Sequence, residues 1–329
     1  DDVSFLATDV EIQIQTTAQL GAGKEDGGTT VSARKLIDIL RSLPDSVDVS
    51  IKVENKRATI QAGKSRFALQ TLAAEEYPTV AVSEQFSASF ELPQKRLKHL
   101  FQMVHFAMAQ QDIRYYLNGL LLVTDGAAVR VVATDGHRLA FCEAEVDGAA
   151  LAKHEVIVPR KTVLELQRLL KDEETPIEMR FANNQAKFGF SGMEFVTKLV
   201  EGKFPDYNRV IPRNHKNALV LGRAPLLAAL QRAAILTSEK FKGVRVNLEP
   251  GVLRIASSNA EQEEAKEELE VDYDGDAIDI GFNVTYLIDV LANMSQEMVK
   301  LELQDSSASV LMSVPGETGF KYVVMPMRI

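Results

Sequence analysis

The stretch "VVATDGHRLAFCEAEV", Val131 to Val146, sets Asp135, His137 and Arg138 within four positions, between two runs that read as strands. It reads either as an active-site corner or as one corner of something that repeats, and the flanking chain decides between them. "FLATDVEIQIQ" from Phe5 and "RIASSNAEQEEA" from Arg254 share its shape: a β-rich run, a small polar corner at Thr8, Thr134 or Ser257, then a second run. The corners are 126 and 123 residues apart. Helix-period segments follow at similar offsets, "LIDIL" from Leu36, "VLELQ" from Val163 and "LIDVL" from Leu287. Closing apolar runs come next, "FALQTL" from Phe67, "FVTKLV" from Phe195 and "YVVMPM" from Tyr322. Features in one order at near-constant spacing mark an internal repeat. The chain therefore divides into three copies of one domain, residues 1–86, 87–215 and 216–329.

The 329-residue length suits several domains better than one. Strand segments alternate, as in "VSIKVENKRATIQAG" from Val49, where Glu54-Asn55-Lys56 separates two runs of period two. Each full copy reads as helix, strands, helix, strands, which points to an α+β class with antiparallel sheets and helices on one side. The first copy is short: seven residues precede Thr8, against about 44 before Thr134, so roughly 37 residues are expected to be missing from its start. Cys142 is the single cysteine, which excludes an intrachain disulfide and leaves no cysteine-rich metal site. No run reaches the apolar length of a membrane span, and the first residues do not resemble a signal peptide, so the expected setting is the cytoplasm.

Net charge is −9, yet helical segments of the first two copies collect bases: Arg34, Lys35 and Arg41 in "SARKLIDILRSL"; Lys95, Arg96 and Lys98 in "LPQKRLKHLF"; Arg160, Lys161, Arg168 and Lys171 in "VPRKTVLELQRLLK". The third copy fits less well, with Arg223 and Arg232 in "GRAPLLAALQRA" and no base in "NVTYLIDVLANM". One basic face is ordinarily a solvated face. Its recurrence against 46 acidic residues points to an anionic partner.

At this level of detail the sequence resembles the bacterial DNA sliding clamps, the β subunits of DNA polymerase III. The resemblance rests on "VATDGHRLA" at Val132, "QDIRYYLNG" at Gln111, "KLVEGKFPDYNRVIP" at Lys198, "AAILTSEKFKGVR" at Ala233, "GFNVTYLIDVL" at Gly281 and the terminal "YVVMPMRI". The first domain matches more loosely, through "ATD", "ARK" and "GKSRFALQTL". The resemblance implies three clamp domains per chain in a head-to-tail homodimer, with sheets outside and helices lining a ring around duplex DNA. It implies a processivity factor, with no cofactor, no metal and no membrane association.

Three sets of residues follow from it. Arg34, Lys35, Lys95, Arg96, Arg160 and Lys161, with Gln111, Tyr115 and Tyr116, would face sequence-independent DNA, although Tyr115-Tyr116 also reads as plain β packing. Phosphate contacts alone let such a ring slide. A groove between the second and third domains would take clamp-binding peptides from the polymerase III catalytic subunit, clamp-loader subunits, other polymerases and repair proteins. Its residues would be Thr134, Gly136, His137, Leu139, Pro205, Val210, Val323, Met325 and Met327, with Arg114, Arg209 and Tyr286 at the edge. By spacing alone "VVMPM" reads as a core strand near the C-terminus, and only the resemblance places it in the groove. Ring closure would set Lys35, Lys64, Arg66 and Phe67 against Ile235, Leu236, Glu263, Glu264 and Glu267 of the second chain. Lys266 interrupts that acidic run, which also reads as a solvated strand or turn.

Catalysis finds little support. Asp135 and His137 could pair as base and orienting group, but no nucleophile accompanies them and no G-x-S-x-G is present. "GAGKEDGG", Gly21 to Gly28, lacks the phosphate-loop pattern because Glu25 follows Lys24, and it reads as a hairpin loop. The five histidines show no ligand spacing. A repeat scaffold that binds only proteins is the alternative; it accounts for a groove and leaves the basic helices unexplained.

Overall fold

A computed structural model describes residues 2–19, 26–146 and 150–329. The loop reading of Gly21–Gly28 thus falls, for the most part, outside the described residues. The chain divides into two compact units: residues up to Val82 with Gly192–Phe195, and Ser83–Ser191 with Val196–Ile329.

In the first unit Asp2–Thr8 pairs antiparallel with Ile12–Gln19, and Val49–Glu54, Arg57–Ala62 and Ser65–Gln70 form a three-stranded antiparallel sheet. Glu54 pairs directly with Arg57, so the turn narrows to Asn55-Lys56, both at positive φ (48° and 58°). Two left-handed residues give a connection whose twist matches that of the strands. Helix α1 (Ala33–Ser42) carries no fully buried residue.

The second unit holds α2 (Gln94–Val104), α3 (Arg160–Leu169), α4 (Arg223–Ala234) and α5 (Val284–Asn293). Pro93 and Pro159 stand just before α2 and α3, each with φ −58°, so the chain passes from strand to helix without a linker. Leu97, Leu100, Phe101 and Val104 form the buried stripe of α2, the 3–4 spacing of an amphipathic helix. Ala107 lies in the 3-10 turn His105–Ala107 that follows α2 and is buried there.

One eight-stranded antiparallel sheet runs through this unit in the order Leu151–Pro159, Gly119–Gly126, Ala128–Thr134, Arg138–Glu145, Phe320–Val324, Val310–Ser313, Met298–Leu303, Asn217–Gly222. Its centre is the seam where Arg138–Glu145 pairs with Phe320–Val324, placing Leu139 opposite Val323. Both side chains belong to one buried cluster with Phe141, Phe204, Leu311 and Ile157. Burying each such side chain contributes about 1.5–3 kcal/mol, so the seam is apolar cement as well as a hydrogen-bond ladder. α4 and α5 pack together over a second, four-stranded antiparallel sheet. The α+β class with antiparallel sheets is as the sequence implied.

The corners repeat in their hydrogen bonds. Thr134 Oγ1 donates to Arg138 O (2.6 Å) and accepts from Gly136 N, while Asp135 Oδ1 accepts from His137 N and Arg138 N. Thr8 Oγ1 donates to Ile12 O (2.7 Å) and accepts from Val10 N, while Asp9 Oδ1 accepts from Glu11 N and Ile12 N. The third position is left-handed in both, Gly136 at φ 90° and Val10 at φ 76°. Valine tolerates that region poorly, so the Thr-Asp bonds impose the turn on it. In the third copy the strand ends at Ser258, one residue later than the expected Ser257, and Asn259 Oδ1 takes the aspartate's part by accepting from Glu261 N and Glu263 N. This turn is one residue longer, since Ser258 pairs with Glu264.

Cys142 sits on the seam opposite Phe320, and burial pushes its thiol up to about 12. Iodoacetamide at pH 8 is expected to leave Cys142 unmodified in the folded protein and to alkylate it in denaturant, as read by mass spectrometry. Rapid native-state labelling would mean that the seam opens.

Candidate functional site

Thr134-Asp135-Gly136-His137-Arg138 folds over the seam. Its centre is Arg138, whose side chain is 10% exposed. The guanidinium donates to Asp135 Oδ2 (3.1 Å), to Asp289 Oδ2 on α5 (2.6 Å) and to the Phe106 carbonyl (2.7 Å), and it lies 4.4 Å from the centre of the Tyr286 ring. Burial opposes its charge, but the Tyr322 hydroxyl and the Asp289 carboxylate raise its pKa above the ordinary value. Tyr322, fully buried, donates to the Tyr286 carbonyl at 2.7 Å. Arg138 thus ties the corner, the turn after α2 and helix α5 into one body.

Most of the groove residues expected from sequence gather around this tie. His137 stacks on Tyr286 with ring centres 6.5 Å apart, and the His137 carbonyl accepts from Met325 N at 2.9 Å. Leu139 and Val323 are buried side by side and form floor rather than contact surface. Tyr207 and Ile211 pack against the same cluster, which brings the segment holding Pro205, Arg209 and Val210 to its rim. Val210 and Met325 stand 44% and 48% exposed, as apolar contact surfaces would. Arg209 pairs with Asp206 at the turn Tyr207–Arg209. Met327 N donates to the Gly281 carbonyl at 2.8 Å; a Cβ on Gly281 would meet Met327 O at 2.5 Å, so only glycine permits the approach.

Sequence reasoning missed Arg138, Asp289, Phe106 and Asp112 as parts of this site. Arg114 engages Asp112 through two bonds (3.0 and 2.8 Å), and that guanidinium holds the Asp112 carboxyl down at about 2. The guanidinium also lies 3.0 Å from where a Cβ on Gly136 would stand, so glycine at the corner serves both φ and space. Beside the expected groove residues Arg114, His137 and Tyr286 is a cavity of about 360 Å³, lined also by Phe106, Gln110, Asp112, Arg138 and Arg160 among others.

Residues expected to meet DNA are placed individually. Arg34 and Lys35 are exposed on α1. Lys95 is exposed and pairs with Glu174, and Arg96 donates to the Glu145 carbonyl. Lys161 is exposed. Arg160 differs from the rest: it is half-buried, faces the cavity and donates to the Met108 carbonyl at 3.3 Å. Gln111 is exposed at φ 56°, and Tyr115 is 58% exposed with its ring edge-on to half-buried Tyr116. These tyrosines stand in a 3-10 turn (Tyr115–Leu117) and not in a strand.

Among the expected contacts with a second chain, Ile235 is 76% exposed and Leu236 half-buried, while Lys64 and Arg66 are exposed beside half-buried Phe67. Glu267 is held within the chain by a two-bond pair to Arg232 (2.8 and 2.5 Å). Glu264 pairs with Lys266, and exposed Glu263 accepts from Asn259.

Comparison with known proteins covers nearly the whole chain. Family models of the DNA polymerase III beta subunit match in three consecutive parts, the N-terminal domain at residues 1–81, the central domain at 91–206 and the C-terminal domain at 208–328. The beta sliding clamp of Pseudomonas putida is 45% identical over 327 residues, 99% of this chain and 89% of that protein, and that of Escherichia coli K12 is 43% identical over the same extent. A crystal structure of the Pseudomonas aeruginosa DNA polymerase sliding clamp superposes with TM-score 0.97 at 44% identity, covering 100% of this chain and 89% of the other. Another from that organism, bound to griselimycin, gives 0.96 at 44% identity with the same coverage.

Replacing Arg138 by Met leaves two carboxylates without their shared cation. Because Asp289 is partly exposed, the expected loss is about 2–3 kcal/mol, below the range for a fully buried pair. Urea unfolding would show it as an earlier transition, partly restored in Arg138→Met/Asp289→Asn. An unchanged midpoint would mean that the tie does not hold the site together.

Proposed function

The chain belongs to the DNA polymerase III beta-subunit family, and from that membership we propose that it is a sliding clamp: two chains close head to tail into a ring around duplex DNA. The ring holds polymerases and repair proteins on the template through its groove. The observation that carries this reading is the succession of three family domains along one chain, with a corner-and-seam groove built between the second and third. Three repeats per chain and two chains give a closed figure that retains DNA by topology, with no need for base readout.

Sliding requires weak, exchangeable contacts. Arg34 and Lys35 on α1, Lys95 and Arg96 on α2 and Lys161 on α3 suit this role because Lys and Arg neutralise phosphates without reading sequence. Gln111, Tyr115 and Tyr116 add polar and aromatic surface beside them. In the groove, a partner's extended peptide sets apolar anchors over Leu139 and Val323, between Val210 and Met325, while His137, Arg114 and Tyr286 bound the edge. Two buried anchors give a few kcal/mol, which suits exchange among the polymerase III catalytic subunit, clamp-loader subunits and other clamp-binding proteins. Methionine adapts to varied anchors.

The dimer contact rests chiefly on apolar surface, Ile235 and Leu236 against Phe67, since Arg232 already neutralises Glu267. Glu263 and Glu264, exposed and held only by Asn259 and by Lys266, can still meet Lys35, Lys64 and Arg66 of the second chain. Nothing in this mechanism calls for a catalytic group, cofactor or metal. Its place is the cytoplasm, and no helix among the described residues is long and apolar enough to cross a membrane.

After loading by a clamp loader, the protein is expected to stay on nicked circular DNA and to run off the same DNA once linearised. Equal retention on both would replace the ring with the alternative, a repeat scaffold binding proteins alone. Ile235→Ala/Leu236→Ala is expected to sediment as a monomer at concentrations where the parent chain is a dimer; an unaltered dimer would place the contact elsewhere.

A further inference from the structure

The cavity beside the groove is polar, unlike the groove floor, and its charges do not balance. Arg114 is matched by Asp112, and Arg138 by Asp135 and Asp289. Arg160 has no such match. It opens α3 directly after Pro159, which aims it into the cavity, and its partner is the neutral Met108 carbonyl at 3.3 Å. No carboxylate engages it among the described residues. Burial, with the Arg138 charge beside it, pulls the Arg160 pKa below its ordinary value, as expected of a cation short of a counter-charge.

We infer that this cavity is a carboxylate seat: an Asp or Glu side chain of the partner's peptide, adjacent to its apolar anchors, enters it and is bound by Arg160. The inference rests on the groove reading above. Continuity of the two spaces favours a peptide acid as occupant, because His137, Arg114 and Tyr286 border both groove and cavity, so a chain seated in one has neighbouring side chains over the other. The cavity's volume of about 360 Å³ admits a carboxylate together with water. Guanidinium and carboxylate form strong charge-assisted bonds, and here the partner cation is half-buried and held by its backbone contact. The apolar floor then supplies most of the affinity, and the seat discriminates among peptides with equal anchors.

The test uses the full-length dimer and a set of short peptides with Leu and Phe anchors, in which one flanking or intervening position at a time is Glu or Gln. Anisotropy titrations are expected to show, at one position, about tenfold tighter binding of the Glu peptide, as one charge-assisted bond gives over a neutral one. That preference should fall to near parity in Arg160→Gln and survive in part in Arg160→Lys, while Arg168→Gln, an exposed arginine of the same helix paired with Glu165, leaves it intact. The Gln peptides should bind all variants alike, which also certifies that the groove is folded. Equal binding of Glu and Gln peptides at every position would overturn the carboxylate seat and leave the groove standing. Failure of every peptide to bind the parent protein would remove both. Reduced retention of Arg160→Gln on circular DNA, with the acid preference unchanged, would overturn the seat by assigning the cavity to a DNA phosphate.

Discussion

The pairing of Arg138–Glu145 with Phe320–Val324 is the constraint from which the functional half of the molecule follows. It joins strands far apart in sequence, and so turns two copies of a repeat into one sheet. Once Leu139 stands opposite Val323, the corner before Leu139 and the tail after Val324 must emerge together at the same edge. The His137 carbonyl then meets Met325 N without further adjustment. A one-residue slip would turn Leu139 and Val323 away from their shared cluster, so the register is set by burial on that face.

Around the seam the polar groups fall into two kinds. Arg138 has its side chain almost wholly covered, with bonds to two carboxylates and a backbone carbonyl, and its guanidinium over the Tyr286 ring. Such a group fixes geometry, because taking away any partner leaves a desolvated charge behind. Arg160 is half-buried and short of acceptors, and so retains capacity for something that comes from outside. The difference comes from position: Arg138 sits where three elements converge, whereas Arg160 begins a helix that faces open space.

The repeat was legible in the sequence because its corner is a local chemical device. Thr and Asp, each bonding backbone within four residues, leave a residue pattern that spacing alone detects. The third corner was misplaced by one residue because Asn259 substitutes for the acid and closes a longer turn. Leu139 and Val323, expected in the groove, are indistinguishable from ordinary core by periodicity, and only the resemblance assigned them there. The Arg138–Asp289 pair, 151 positions apart, carries no local signature at all. The acidic run carries a similarly hidden contact: Glu267 pairs with Arg232 on α4 of its own chain, 35 positions away, which the run's spacing does not show.

The continuous sheet has a consequence for cooperativity. By ancestry the second and third domains are separate modules, yet strands of both share one ladder and one apolar cluster, so neither can melt without exposing the other's interior. A shared ladder and core are the features of a single foldon, in which amide protons on either side of the seam would exchange with solvent through the same opening event. A groove built on such a unit keeps its shape until the whole unit unfolds, so a partner can leave without the binding site loosening first.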